Sequence, residues 1–298
     1  MEPEITTLSL KAKDGYLLTA SLYQAQGVAR GNLIMAGATG APRRFYRHFA
    51  GFAAKHGFNV LTLDYRGVGD SRPESLKGFS MRYMEWATQD LAAAVEFFAK
   101  DALPLYWVGH SFGGHALGLL PNADKITSAF CLGTGAGWAG WMPLAESLKV
   151  RLMWQVVLPI VVAFKGYLAW SRFGMGEDLP LGVYKDWKQW CSYPHYFFDD
   201  PAMSALTYPF TQLKCPKRFA NATDDAWALP RSRDAFIQGY SDPKETSDLN
   251  PAHYGGKIGH MGYFFAGKEQ LWTEVLDWLI NHKPFSVQPT EQDLCGAV

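Results

Sequence analysis

The chain alternates short apolar runs with longer amphipathic stretches, after a first segment of a different pattern. That first segment, MEPEITTLSLKAKDGYLLTASLY, alternates polar with apolar residues on both sides of Asp14-Gly15, which predicts a two-stranded hairpin. Four apolar runs rich in β-forming residues follow, separated by helical patterns: NLIMAG, NVLTLDYRG, PLYWVGHS and ITSAFCLGTG. Apolar strands separated by helices are typical of parallel strands buried on both faces. The pattern predicts an α/β fold with a doubly wound, mostly parallel sheet.

The alternation is interrupted between about residues 135 and 208, where helix-like runs are broken by proline and glycine. Six of the eleven tryptophans lie in this segment: Trp138, Trp141, Trp154, Trp170, Trp187 and Trp190. The alternation returns with CPKRFANATDD, a helical pattern near residues 231–240, a short strand near 245–249 and the amphipathic KEQLWTEVLDWLINH. We therefore predict a core of residues 1–134 and 209–298, with residues 135–208 inserted as a helical cap. We expect the tail after Pro284 to be loosely ordered.

Composition and charge narrow the classes of partner. The chain has 298 residues, 48% of them hydrophobic, which is enough for one large core. Lys plus Arg and Asp plus Glu number 28 each, so no excess positive charge is present to attract a nucleic acid. The four cysteines include no CxxC pair, which argues against a zinc site and against a disulfide framework. We expect neither a metal nor a nucleic-acid partner, and a reducing compartment fits.

The chain shows no targeting pattern at its N-terminus, which lacks the basic and then apolar layout of a signal peptide. The longest apolar stretch, LMWQVVLPIVVAF over residues 152–164, contains Gln155 and Pro159. It is about thirteen residues long, which is too short to span a bilayer. We predict a cytoplasmic protein without a transmembrane segment.

The segment GHSFG, residues 109–113, places a serine between two glycines where a strand is predicted to turn into a helix. Such a tight turn would lift the Ser111 hydroxyl above the sheet and leave the Phe112 amide free to donate to an oxyanion. Gly109 and Gly113 would relieve the clash with the flanking backbone. The alternative is a glycine-rich helix start, because GxSxG is short enough to occur by chance.

A serine hydroxyl needs a base to take its proton, and histidine is the usual base. Five histidines lie in predicted helices, beside Ser111 or in the predicted cap: His48, His56, His110, His115 and His195. His253 lies in a looser turn, NPAHYGG, whereas His260 lies in a glycine-flanked loop, KIGHMGYFF. We favour His260 as the base; the alternative is a loop histidine that only caps a helix.

The acid that orients the histidine should follow a strand between Ser111 and His260. RFANATDDAWALP offers Asp224 and Asp225, and we choose Asp225 by its distance from the helix-opening Pro230. The second oxyanion donor is expected in the loop GATGAP, with the Ala38 amide first and Thr39 second. Further along that loop, Arg43 and Arg44 are predicted to be solvated arginines; the alternative is that they hold a substrate carboxylate.

At these residues the chain resembles the α/β-hydrolase superfamily. DYRGVGDSRP resembles the loop after the fourth strand, and the serine of GHSFGG, the aspartate of DDAWALP and the histidine of GHMG follow the order nucleophile, acid, base. The chain reads Ala36-Gly37 where that superfamily commonly has His-Gly. GMGEDLPLGVYKDWKQW and IGHMGYFF resemble, more narrowly, a group of bacterial proteins known mainly as predicted α/β hydrolases.

The residues and the resemblance together predict a serine hydrolase that cleaves a carboxylic ester or thioester through an acyl-enzyme, without a metal or organic cofactor. An acyltransferase or a serine aminopeptidase could use the same triad, and a binding protein with little turnover is a rival of another class. We expect a small-molecule acyl ester as substrate, with Trp138, Trp141 and Trp154 lining an apolar acyl pocket beneath the cap. The alternative is that these residues only pack together or form a homodimer contact.

Overall fold

The computed structural model describes residues 2–242 and 244–282, in which eight strands form one sheet. The strands are β1 Ile5–Lys11, β2 Leu17–Tyr23, β3 Gly31–Ala36, β4 Phe58–Leu63, β5 Leu105–His110, β6 Ser128–Leu132, β7 Lys217–Ala222 and β8 Glu245–Leu249. The tail after Pro284, predicted to be loosely ordered, lies outside the described residues, as does Cys295. The other three cysteines are buried free thiols.

The sheet has the order β1-β2-β4-β3-β5-β6-β7-β8. Strands β3 to β8 run parallel, and every residue of β3, β5 and β6 is buried. The predicted hairpin is confirmed, because β1 and β2 pair in antiparallel direction with Lys11 opposite Leu17. Strand β2 is also antiparallel to β4, so the hairpin adds an antiparallel edge to the parallel sheet. The predicted doubly wound, mostly parallel α/β sheet is confirmed.

Helices cover both faces of the sheet. The α-helices are α1 Arg47–Lys55, α2 Ala92–Phe98, α3 Phe112–Ala116, α4 Leu144–Leu152, α5 Leu158–Lys165, α6 Leu181–Trp190, α7 Ser204–Thr207, α8 Pro230–Ile237 and α9 Glu269–Asn281. Helices α1 and α9 pack in one apolar cluster against one face. Helices α2, α3 and α8 pack in a second cluster against the other face. Since the parallel strands all end at the same edge of the sheet, the loops after β3, β5, β7 and β8 meet there.

The chain between β6 and β7 is helical and contains α4, α5, α6 and α7. Helices α4 and α5 join through a π-helical turn, Met153–Val157, into one helix of 22 residues, Leu144–Lys165. Because Pro159 has no N–H to donate to the preceding turn, a widened turn just before it is physically reasonable. The helix is therefore longer than the thirteen-residue apolar stretch seen in the sequence, since it begins eight residues earlier, among polar side chains.

By length and composition alone this helix is long and apolar enough to cross a membrane, with a mean hydropathy of 1.6. One of its faces, however, packs against the body of the protein, where Val150, Trp154 and Leu158 are buried. A helix held along its length in this way lies on the protein rather than apart from it.

The junction between β5 and α3 is a tight turn at the sheet edge. Ser111 has φ 51° and ψ −109°, a strained conformation that a non-glycine residue rarely adopts. A Cβ on Gly113 would lie 2.0 Å from the Ala36 carbonyl oxygen, and a Cβ on Gly109 would lie 2.7 Å from the Gly113 backbone. A Cβ on Gly114 would lie 2.0 Å from Thr134 Oγ1. These glycines let α3 approach the central strands.

We predict opposite effects for two glycine-to-alanine substitutions within helices. Gly113→Ala should lower the free energy of unfolding by about 3 kcal/mol, because the new methyl meets backbone in the central strand β3. Gly51→Ala in α1 should raise it by about 0.5–1 kcal/mol, because its Cβ would meet only the Pro3 ring, at 3.9 Å. Urea unfolding of both variants measures the difference. Equal stability of the two variants would contradict the close packing of α3.

Candidate active site

Ser111 lies at the carboxyl end of β5 with its side chain directed at a histidine. Its Oγ is 3.0 Å from His260 Nε2. His260 lies in the loop after β8, 149 residues further along the chain, and its side chain is partly exposed. The structure thus brings together the predicted nucleophile and the predicted base, at a distance at which the hydroxyl can donate its proton.

Asp225 lies on the other side of the His260 ring. His260 Nδ1 is 3.0 Å from Asp225 Oδ2 and 3.1 Å from Oδ1. Because a carboxylate only accepts, Nδ1 carries the hydrogen and Nε2 is left to accept from Ser111. Burial alone would lower the pKa of His260, but the Asp225 carboxylate raises it above its ordinary value.

The Asp225 carboxylate is fully buried and has several donors besides His260. The Tyr263 hydroxyl donates to Oδ2 at 3.0 Å, and the amides of Trp227 and Ala228 donate to Oδ1 at 3.1 and 3.0 Å. Burial alone would raise the pKa of Asp225, but His260 and these donors hold it below the ordinary value. The carboxylate is therefore charged beside the imidazole.

Asp224, the alternative acid, faces a different group. Its two carboxylate oxygens accept hydrogen bonds from the amides of Ile258 and Gly259, both at 3.0 Å. Asp224 therefore holds the loop that carries His260 but does not contact the imidazole. The two adjacent aspartates therefore bind different groups of the same loop, Asp225 the imidazole and Asp224 the backbone amides.

The backbone amides of Phe112 and Thr39, both near Ser111, have no hydrogen-bond partner within the described part of the chain. Phe112, whose amide is predicted to donate to the oxyanion, is the first residue of α3. The Ala38 amide, the first choice for the second donor, instead donates to Tyr46 Oη at 2.6 Å. This geometry favours Thr39, the second choice, over Ala38.

Tyr46 and His110 form a buried chain of hydrogen bonds behind the site. His110 Nε2 is 2.8 Å from the His260 carbonyl oxygen and must donate to it, so Nδ1 accepts from Tyr46 Oη at 2.9 Å. Burial is the main cause that lowers the pKa of His110 to about 3, so this imidazole is neutral. The chain connects the Ala38 loop with the loop of His260.

A cavity of about 420 Å³ opens at Ser111 and His260. Apolar side chains form most of its wall: Phe45, Trp170, Met175, Trp187, Trp227, Met261 and Phe265. A second cavity of about 320 Å³ adjoins it, shares Trp170, Met175 and Trp227, and is also lined by Trp154. A mostly apolar pocket with few polar groups is typical of a site for a small apolar ligand.

Two of the three tryptophans predicted to line the pocket lie outside both cavities. Trp138 and Trp141 line neither cavity: they pack edge to face on each other, and Trp141 Nε1 donates to the Pro194 carbonyl. Trp154 lines only the adjoining cavity. Trp227, two residues after the predicted acid, lines both cavities but was not predicted to do so. The direction of its side chain depends on the turn whose amides bind the Asp225 carboxylate.

Arg43 was also predicted wrongly. Its guanidinium is bound to the buried Asp64 carboxylate and, at 2.7 Å, to Asp70, so it holds the loop next to the cavity rather than facing solvent. Arg44 is exposed and pairs with Glu177 at 2.8 Å. Across residues 2–242 and 244–282, no three His, Cys, Asp or Glu side chains are grouped to hold a metal ion.

Comparison with solved structures finds the same fold in several proteins. The chain matches a soluble variant of monoglyceride lipase from Saccharomyces cerevisiae with a TM-score of 0.68 and 15% identity, over 95% of this chain and 96% of that one. It matches the α/β hydrolase GrgF from Penicillium with a TM-score of 0.63 and 18% identity, over 94% of this chain and 99% of that one. An esterase from Pyrococcus furiosus matches with a TM-score of 0.59 and 15% identity, over 94% of each chain.

No curated protein matches the sequence. A family model described as the alpha/beta hydrolase family matches residues 33–262, from β3 to the loop after His260. This match spans most of the sheet and all three residues grouped at Ser111. The protein therefore belongs to the alpha/beta hydrolase family.

Proposed function

We propose that the protein is a serine hydrolase that cleaves a carboxylic ester, or a thioester, through an acyl-enzyme. The observation that carries this proposal is the unbroken contact from Ser111 Oγ through the His260 imidazole to the buried Asp225 carboxylate. A ligand-binding protein with little turnover has no need for three such groups in line. The names of the similar structures, an esterase and a monoglyceride lipase, agree with this reaction class.

Each residue has one role in the proposed reaction. Ser111 Oγ attacks the carbonyl carbon while its proton passes to His260 Nε2, and the amides of Phe112 and Thr39 donate to the oxyanion. Collapse of this intermediate expels the alcohol or thiol, which takes the proton from Nε2. Water then attacks the acyl-enzyme by the same route and releases the acid. Asp225 holds the imidazole in the required tautomer and stabilises its charged form.

The apolar cavity is proposed to hold the acyl side of the substrate. Trp170, Met175 and Trp187 come from the segment between β6 and β7, which supports residues 135–208 as a cap over a core of residues 1–134 and 209–298. Buried free thiols fit the cytoplasmic location predicted from the sequence, which stays a prediction.

The acid assignment predicts a large difference between two adjacent substitutions. Asp225→Asn should lower kcat for p-nitrophenyl esters by about 10⁴-fold, because the imidazole loses its charge partner and its tautomer. Asp224→Asn should cost about tenfold, because it disturbs only one of two amide contacts to the His260 loop. Steady-state kinetics of both variants measures this ratio. A larger loss for Asp224→Asn would exchange the two roles.

The same pair of variants carries a pH test. Since the reaction needs neutral His260, kcat/KM should rise with pH through the pKa of this histidine. Asp225 raises that pKa, so in Asp225→Asn burial dominates and the acidic limb should move to lower pH. Asp224→Asn should leave the limb in place. An unmoved limb in Asp225→Asn would show that Asp225 does not act on His260.

The cavity assignment predicts selection by acyl chain length. For straight-chain esters, kcat/KM should rise by about fourfold per methylene up to a limit, because each buried methylene contributes about 0.8 kcal/mol. Met175→Trp should shorten that limit, because Met175 lines both cavities and a larger side chain narrows their junction. Trp138→Phe, outside both cavities, is the matched control. A profile that Met175→Trp leaves unchanged would place the acyl group elsewhere.

A further inference from the structure

A row of exposed apolar side chains follows the outer face of the helix Leu144–Lys165. The six side chains are spaced four residues apart and are between 48% and 84% exposed: Leu144, Leu148, Leu152, Val156, Ile160 and Phe164. Exposed apolar groups that are scattered singly need no explanation, but a continuous row along a helix of 22 residues does. We call these six residues the outer row.

The opposite side of this helix is fixed to the body of the protein. Val150, Trp154 and Leu158 are also four residues apart, and all three are buried. On a straight α-helix a row with this spacing drifts around the axis, and the wider π-helical turn Met153–Val157 partly reverses that drift. The helix therefore presents its apolar outer row along one side while its inner side stays packed.

The charges of the helix point to the kind of partner. Lys149 and Arg151 are exposed beside the outer row, and Lys165 is half-buried at its end. The only acidic residue of the helix, Glu146, accepts from Trp227 Nε1 at 3.1 Å and also pairs with Lys149, whose Nζ is 3.3 Å from its Oε1, so the helix carries three cations and one acid. A second copy would bring a helix of the same net positive charge against this face, whereas an anionic lipid surface complements that charge.

We propose that the outer row binds the surface of a membrane that contains anionic phospholipids. The apolar side chains would enter the boundary between headgroups and acyl chains, and Lys149 and Arg151 would contact lipid phosphates. The helix would lie in the plane of the membrane, because its inner side remains packed on the protein.

The position of the helix relative to the cavities adds a consequence that rests on the proposed function. Met153, Trp154 and Leu158 line the cavity that adjoins the one at Ser111, and Met175 stands at both cavities with its side chain partly exposed. Docking of the outer row would hold the adjoining cavity and the exposed part of Met175 next to lipid. An ester dissolved in the membrane could then enter the cavity without crossing water.

Flotation with vesicles tests the proposal without any substrate. The full chain should float with vesicles of phosphatidylcholine mixed with phosphatidylglycerol, and binding should weaken by about tenfold on phosphatidylcholine alone or in high salt. Ile160→Asp and Phe164→Asp should each lower the partition coefficient by about tenfold or more. The double variant Lys149→Gln/Arg151→Gln should lose the preference for the anionic vesicles.

Val28→Asp is the matched control, because Val28 is 90% exposed and lies outside the helix, so its binding should equal that of the unchanged protein. Absence of binding to anionic vesicles, or equal loss in Val28→Asp and Phe164→Asp, would overturn the proposal. A dimer in sedimentation equilibrium that Phe164→Asp dissociates, with no vesicle binding, would assign the outer row to a second copy instead. Ser111 takes no part in flotation, so failure of the proposed reaction would leave this result unaffected.

Discussion

The buried carboxylate of Asp225 is the constraint on which the site depends. A charge with no exposure to water must be fully hydrogen-bonded, and removal of one partner of such a group typically costs about 3–5 kcal/mol. The requirement fixes the turn after β7 through the amide of Trp227, and it fixes Tyr263 and the His260 ring. It also places Trp227 in the wall of the cavity. One buried charge thus positions the His260 ring and part of the cavity wall together.

A second, uncharged network holds the other side of the site. The Ala38 amide, the Tyr46 hydroxyl and the His110 imidazole form a buried chain that ends on the carbonyl of His260. Because burial keeps His110 neutral, the chain has a single arrangement of donors and acceptors. The loop after β3 and the loop after β8 are therefore held to one another behind Ser111.

The mostly parallel sheet could be predicted from the sequence, because strands buried on both faces leave continuous apolar runs. Ser111 could be predicted because its turn demands glycines at fixed positions. The residues that line the pocket could not be predicted, because Trp138 and Trp227 look alike in the sequence. Which of them faces the cavity is decided by the packing around Asp225 and by the helices between β6 and β7. The sequence also gives no sign that the Ala38 amide is unavailable to an oxyanion, because no local pattern shows that the Tyr46 hydroxyl, eight residues later, accepts a hydrogen bond from it.

The central claim, that Ser111 is a nucleophile activated by His260, is tested most directly by reaction with a fluorophosphonate probe followed by mass spectrometry of the whole protein and its peptides. The account predicts one adduct for each chain, located on Ser111, and none in a folded Ser111→Ala variant. An adduct on another residue, or no adduct on a folded protein over hours, would contradict it.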